Sequence, residues 1–190
     1  MQNDLNLTPL LRAKFGDYPR TIGRYHASEL YYLLNGLTTP EQWLQPRTKP
    51  LPLIMAMWNG TLVHQYVQDL LPSECNEIKV EHQYTIPGTE DIITLVGKVD
   101  HLPNHVEQVW EFKTSKNELP EAKKEHAHQC KLYCTMTKRP EGVVYQPVQH
   151  NSGLYLKHLE TVLRDDEWFN EQMQKLSAYH YQILELSNTI

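Results

Sequence analysis

The segment from Glu77 to Thr114 constrains the fold more than any other part of the chain. It holds three stretches of strand character, Glu77–Ile86, Ile92–Leu102 and Val106–Thr114, separated by Pro87-Gly88 and Pro103-Asn104. Proline beside glycine or asparagine supplies tight-turn backbone angles, so the pattern predicts consecutive strands. In the third stretch, Trp110-Glu111-Phe112-Lys113, successive side chains alternate between two faces. Glu111 and Lys113 therefore share one face, and the aromatics turn to the other. A carboxylate and an ammonium inside an apolar strand are costly to bury without partners. A short hairpin brings Asp100, of Gly97-Lys98-Val99-Asp100, within reach of Glu111. Two carboxylates at that distance repel unless a proton or a cation stands between them. Hard divalent cations favour such a site, together with water and phosphate oxygens. Lys113 would then stand beside a metal-bound water, where it can orient or deprotonate the nucleophile. The competing reading of the same spacing is a surface hairpin with a cross-strand ion pair, worth about 0–1 kcal/mol.

The flanks read as helices. Ile54, Met57, Trp58, Leu62, Tyr66 and Leu70 recur at three- and four-residue steps, which predicts a helix over 53–71 that Pro72 ends. A short helix is expected from Ser28 as N-cap to Gly36 as its stop. Another is expected from Pro120 to about Lys138. Gly142–Val148 and Gly153–His158 read as a hairpin, and the tail from Leu159 as one long helix or two short ones. The expected class is α/β (α+β), a central mixed sheet flanked by helices in αβββαβ order. Residues 1–52 would form a helical and loop region packed on the core, 53–158 the core itself, and 159–190 a C-terminal helix of the same domain.

Of the 190 residues, 40% are hydrophobic and 22% charged, which fits one globular domain rather than a disordered or fibrous chain. No apolar run is long enough to span a membrane, and no secretory leader is visible, so no membrane partner and a cytoplasmic location (the host's, for a phage or viral chain) are expected. The net charge of −5 speaks against a polyanion partner, but it is unevenly spread. Residues 113–139 carry seven basic and three acidic side chains, whereas 159–190 carry two and six. Fields act within a Debye length of about 8–10 Å, so the basic middle leaves nucleic acid open as a partner.

Two further patterns bear on chemistry. Gly60-x-x-x-His64 puts a bare backbone patch beside a histidine on one helix face, and Gln129-x-x-x-Tyr133 pairs an amide with a phenol one helical turn apart. Taken singly, each is also what a structural histidine or a half-buried amphipathic helix would show. In order, Gly60-x-x-x-His64, Gly97-x-x-Asp100, Glu111-Phe112-Lys113-Thr114-Ser115 and Gln129-x-x-x-Tyr133 resemble the RecB-type branch of the PD-(D/E)XK nucleases, over roughly residues 24–158. That branch includes the nuclease domain of RecB, the CRISPR-associated iron–sulfur exonucleases and the mitochondrial genome maintenance exonuclease. The stretch from Arg24 to Leu30 resembles the serine-containing first helix of those proteins.

The resemblance implies a restriction-endonuclease-like core and metal-dependent hydrolysis of DNA, as an exonuclease on single strands or duplex ends. It implies Mg²⁺ or Mn²⁺ held by His64, Asp100, Glu111 and the Phe112 carbonyl, with Asp100, Glu111 and Lys113 catalytic. Gln129 and Tyr133 would help place DNA and the lysine, with Arg24, Ser28 and Lys131 as further DNA contacts and Glu81 as an acidic position found in some members. Val99 stands where a literal Pro-Asp would have proline. The four cysteines of the iron–sulfur members are not matched by Cys75, Cys130 and Cys134, so no cluster is expected and the three read as small buried hydrophobes. Homo-oligomerisation and recombination or replication proteins are the partner expectations besides DNA. The rival readings are a non-cleaving DNA-end-binding or assembly subunit, in recombination, packaging or CRISPR adaptation, and an unrelated metal-dependent hydrolase.

Overall fold

The computed structural model describes residues 8–15, 20–46 and 49–189. In chain order they form α1 (Thr8–Phe15), β1 (Arg24–His26), α2 (Ala27–Leu34), α3 (Pro40–Leu44), α4 (Leu51–Gln68), β2 (Asn76–Thr85), β3 (Ile92–His101), β4 (Gln108–Phe112), α5 (Lys124–Thr137), β5 (Glu141–His150), β6 (Gly153–Leu163) and α6 (Asp166–Ser187). The class is the expected one, a central mixed sheet flanked by helices.

β3 organises the sheet. One edge pairs antiparallel with β2 from Asn76↔His101 to Thr85↔Ile92. Its other edge is divided between two strands. β1 lies parallel along Thr94–Val96, and β4 joins antiparallel at the single registered pair His101↔Trp110. Residues 97–100 therefore face a gap in the sheet. β4 continues parallel to β5, and β5 closes antiparallel on β6 around Asn151-Ser152. The apolar core, with Leu30, Leu95, Val99, Val109, Leu132, Val144, Met173 and Leu176 at its centre, lies between the sheet and α2, α5 and α6. Within it the His128 ring packs edge-on between Tyr31 and Trp168, with ring centroids at 5.6 and 5.0 Å.

Several boundaries differ from the sequence expectation. The tail does not turn helical at Leu159. Leu159–Leu163 extend β6, where Leu159 and Val162 are buried at strand positions, and α6 begins only after Asp165, whose carboxylate caps it by accepting the Trp168 N–H at 2.9 Å. Ser28 is not the cap of α2: His26 holds that position, and its N–H is taken by the Glu29 carboxylate at 3.2 Å. Helix α5 starts at Lys124 rather than near Pro120, because residues 119–123 form a loop in which the Leu119 N–H is satisfied by the Gln146 side chain. β1 was not expected, and α1 and α3 were not individually placed within the helical and loop region read over residues 1–52. Helix α3 is capped by Thr39 with Pro40 at its first position.

Candidate active site

The gap at β3 is where the charged residues of the two strands meet. A neighbouring strand would normally take up the open-edge amides of Lys98 and Asp100, and here side chains do so. The Lys98 N–H donates to the Tyr133 hydroxyl at 3.2 Å, and the Asp100 N–H donates to Glu111 Oε1 at 3.4 Å. From the opposite side the Phe112 N–H donates to Asp100 Oδ2 at 2.7 Å. Both carboxylates thus replace ladder hydrogen bonds, which is why two charged side chains are tolerated at 9% and 1% exposure.

Lys113 extends the arrangement towards α5. Its ammonium donates to Glu111 Oε2 at 2.8 Å and to Gln129 Oε1 at 2.9 Å, and the Gln129 amide donates in turn to the Tyr133 hydroxyl at 3.1 Å. The i, i+4 spacing of Gln129 and Tyr133 presents both to the sheet edge. Tyr133 can approach β3 so closely only because residue 97 is glycine: a β-carbon there would stand 2.6 Å from the phenol oxygen. On the far side α4 crosses the end of β4. Gly60 allows Thr114 Oγ1 to lie where its β-carbon would be 2.9 Å away, and one turn on, His64 Nδ1 stands 3.5 Å from Asp100 Oδ1.

The electrostatics follow from burial and crowding. Burial and the charge of Asp100 push the Glu111 carboxyl up to about 7, against the pull of Lys113. Burial works against ionised Asp100 as well, but His64 and Lys113 more than offset it and hold that carboxyl below its ordinary range. Burial alone would lower the Lys113 ammonium. The two carboxylates reverse the sign and keep it protonated well beyond neutrality. Burial likewise disfavours protonated His64, and Asp100 outweighs it, leaving the imidazole raised.

His64, Asp100, Glu111, Phe112, Lys113, Gln129 and Tyr133 therefore come together, although among the described residues no three His, Cys, Asp or Glu side chains are gathered into a group that could hold a metal ion. Four other expected residues lie elsewhere. Arg24 and Glu81 pair with each other at 3.0 Å on an exposed surface. Ser28 is exposed on α2. Lys131 turns away to α6, 3.0 Å from Asp165 and over the Trp168 ring. Cys130 and Cys134 are buried free thiols packed against Gly142. Sequence reasoning did not single out Thr114 and Lys98 for site roles; the only signal for the first was glycine within an otherwise regular helix.

No protein-family model matches the sequence, and no curated protein matches it. Solved structures share its fold. SSO0001, 12% identical, superposes with a TM-score of 0.59 over 90% of this chain and 84% of its own. LHK-Exo, an alkaline exonuclease from Laribacter hongkongensis, is 16% identical with a TM-score of 0.54 over 96% of this chain and 97% of its own, and its complex with dAMP gives 0.56. A phage-related exonuclease from Haemophilus somnus 129PT, 9% identical, gives 0.51 over 86% and 96%. The likeness is one of fold: this chain has the mixed-sheet architecture of alkaline and phage-related exonucleases.

Proposed function

We propose that this chain is a metal-dependent deoxyribonuclease of the PD-(D/E)XK superfamily, in its RecB-type branch, acting as an exonuclease on single-stranded DNA or DNA ends. The observation that carries the reading is Lys113, held between Glu111 and Gln129 beside Asp100 at the open edge of β3. The exonuclease fold and the dAMP held by LHK-Exo support DNA as the substrate.

The donor chemistry fits a hard divalent cation. Two carboxylates crowd one buried site, and burial together with Asp100 raises the Glu111 carboxyl to about 7 even with Lys113 beside it. Asp100, Glu111, His64 and the Phe112 carbonyl would hold Mg²⁺ or Mn²⁺. When bound, such an ion supplies Lewis-acid polarisation of a phosphoryl oxygen and a water of lowered pKa. Lys113 contributes as an ammonium. It already donates to Glu111 and Gln129, and its remaining proton can orient water or meet charge developing on the phosphate. Gln129 and Tyr133 fix where that ammonium stands. His64 lies against Asp100 and limits the directions that carboxylate can face.

The second reading, a non-cleaving DNA-end-binding or assembly subunit, is favoured by one observation: His64, Asp100 and Glu111 are not gathered into a ligand group. An assay on 5′- and 3′-labelled single- and double-stranded DNA with Mg²⁺ or Mn²⁺ separates the two. Stepwise mononucleotide release, abolished by chelator, is expected; intact DNA under all metals, with binding retained, would leave the second reading.

A further inference from the structure

Asp100 belongs to the candidate centre, but Lys98, two residues earlier in the same motif, has so far entered only through its backbone. Its side chain lines a cleft of about 770 Å³ between α4 and the start of β2, whose walls include Met57, Gly60, His64, Gln68 and Thr114. The cleft thus adjoins the candidate centre through His64 and Thr114. A second hollow of about 360 Å³ shares Gln65, Gln68 and Glu77 with it and carries it on to Ser73 and Asn76. Two adjoining hollows of this kind suit a chain-like ligand better than a compact one.

Lys98 is held in the groove from two sides. Its amide is anchored on Tyr133, and its ammonium lies 2.7 Å from Glu77 Oε2, with both side chains about half exposed. Glu77 reaches that position from a backbone φ of +54°, in the left-handed region that a residue with a β-carbon seldom adopts. The β2–β3 register passes around it, from Asn76↔His101 to Ile78↔Val99. A half-exposed ion pair adds little stability, so stability alone does not account for a strained glutamate at this point.

We propose that Lys98 contacts a backbone phosphate of the DNA strand lying in this groove, and that Glu77 is its resting counter-ion, released when the polyanion enters. The inference rests on the nucleolytic reading above. Lys98 and Asp100 lie two residue steps apart, about 7 Å along β3, so the contact is to a phosphate next to the scissile one.

The test is the binding of a labelled single-stranded oligonucleotide across a KCl series, in chelator so that no cleavage intervenes. Lys98→Gln should weaken binding and flatten the log–log salt slope by about 0.7, the value for one phosphate contact on a single strand. Lys98→Arg should keep the slope. Glu77→Gln should act in the opposite direction, tightening binding at low salt, because it removes the competitor for the ammonium. An ion pair with only a structural role would shift both variants the same way. In the cleavage assay, Lys98→Gln should raise KM by a larger factor than it lowers kcat. A wild-type slope in Lys98→Gln, or weaker binding in both Lys98→Gln and Glu77→Gln, would overturn the proposal and leave the nucleolytic reading standing. Binding without cleavage by the wild type under every metal would remove the nucleolytic reading alone. A wild-type chain that binds no oligonucleotide at any salt would overturn both.

Discussion

Replacing Gly97 with alanine tests whether the centre is positioned by the close seating of α5 on the open edge of β3. The added β-carbon would stand 2.6 Å from the Tyr133 oxygen and 2.8 Å from its Cζ, closer than real β-carbons approach such atoms. The ring cannot simply swing aside, because it is 2% exposed and its hydroxyl is engaged by the Lys98 and Gln129 donors. Overpacking of this kind costs about 1–3 kcal/mol. For a chain of this length each kcal/mol lowers Tm by roughly 2–4 °C, so a loss of roughly 2–12 °C is expected. Any shift of Tyr133 also moves Gln129 and loosens Lys113, so turnover should fall in the surviving folded protein. The decisive assay is urea unfolding of Gly97→Ala, Tyr133→Leu and the double variant. Leucine lacks the atoms that collide, so the two substitutions should couple favourably by about 1 kcal/mol or more. Additivity to within about 0.3–0.5 kcal/mol would refute the argument that Tyr133 is why residue 97 is glycine.

Tyr133→Phe should cost about 1–3 kcal/mol in urea unfolding, since it strips the acceptor from two donors at once. Lys113→Ala should lower turnover by about 10²–10⁴ while oligonucleotide affinity changes far less; equal losses would make the lysine a phosphate anchor instead. Lys131→Gln should leave the salt slope of DNA binding unchanged, because its ammonium is committed to Asp165 and Trp168 on the α6 side, and a flattened slope would contradict that placement. Acid titration of stability should report His128, which burial depresses to about 4. The unfolded chain then binds the extra proton between about pH 6.5 and 4, so stability is full above that window and falls as pH drops through it. The contribution is about 3 kcal/mol at most, and His128→Phe should flatten the dependence. His126, lowered to about 4 by burial and by Lys113, supplies a remainder.

The turn signals and the strand alternation of Glu77–Thr114 were enough to read β2, β3 and β4 within a few residues, because local backbone chemistry sets them. The meeting of Asp100, Glu111 and Lys113 was legible for the same reason: charges inside an apolar strand need partners, and the hairpin supplies them. What was not legible depends on the third dimension. That β1 and β4 divide one edge of β3 is a long-range pairing of only three residues and one residue pair, too short to leave a periodic signal. The roles of Tyr133 and Glu111 as stand-ins for a missing strand follow from that gap and from nothing local. Leu159 and Val162 fit a helical spacing as well as a strand, and only the Asp165 cap marks where α6 starts. Lys131 lies within the basic segment by sequence, but it sits two residues from Gln129 and so faces another side of α5.

The central claim is that Asp100 and Glu111, with Lys113, form a metal-dependent centre for phosphodiester hydrolysis. Single-turnover cleavage of end-labelled DNA by the wild type and by Asp100→Asn tests it most directly, in Mn²⁺ and in excess chelator, with DNA binding and Tm measured on the same samples. The account expects metal-dependent release of nucleotides by the wild type, none in chelator, and none by Asp100→Asn although it still binds DNA and remains folded. Cleavage by Asp100→Asn at the wild-type rate, or full wild-type activity in chelator, would contradict it.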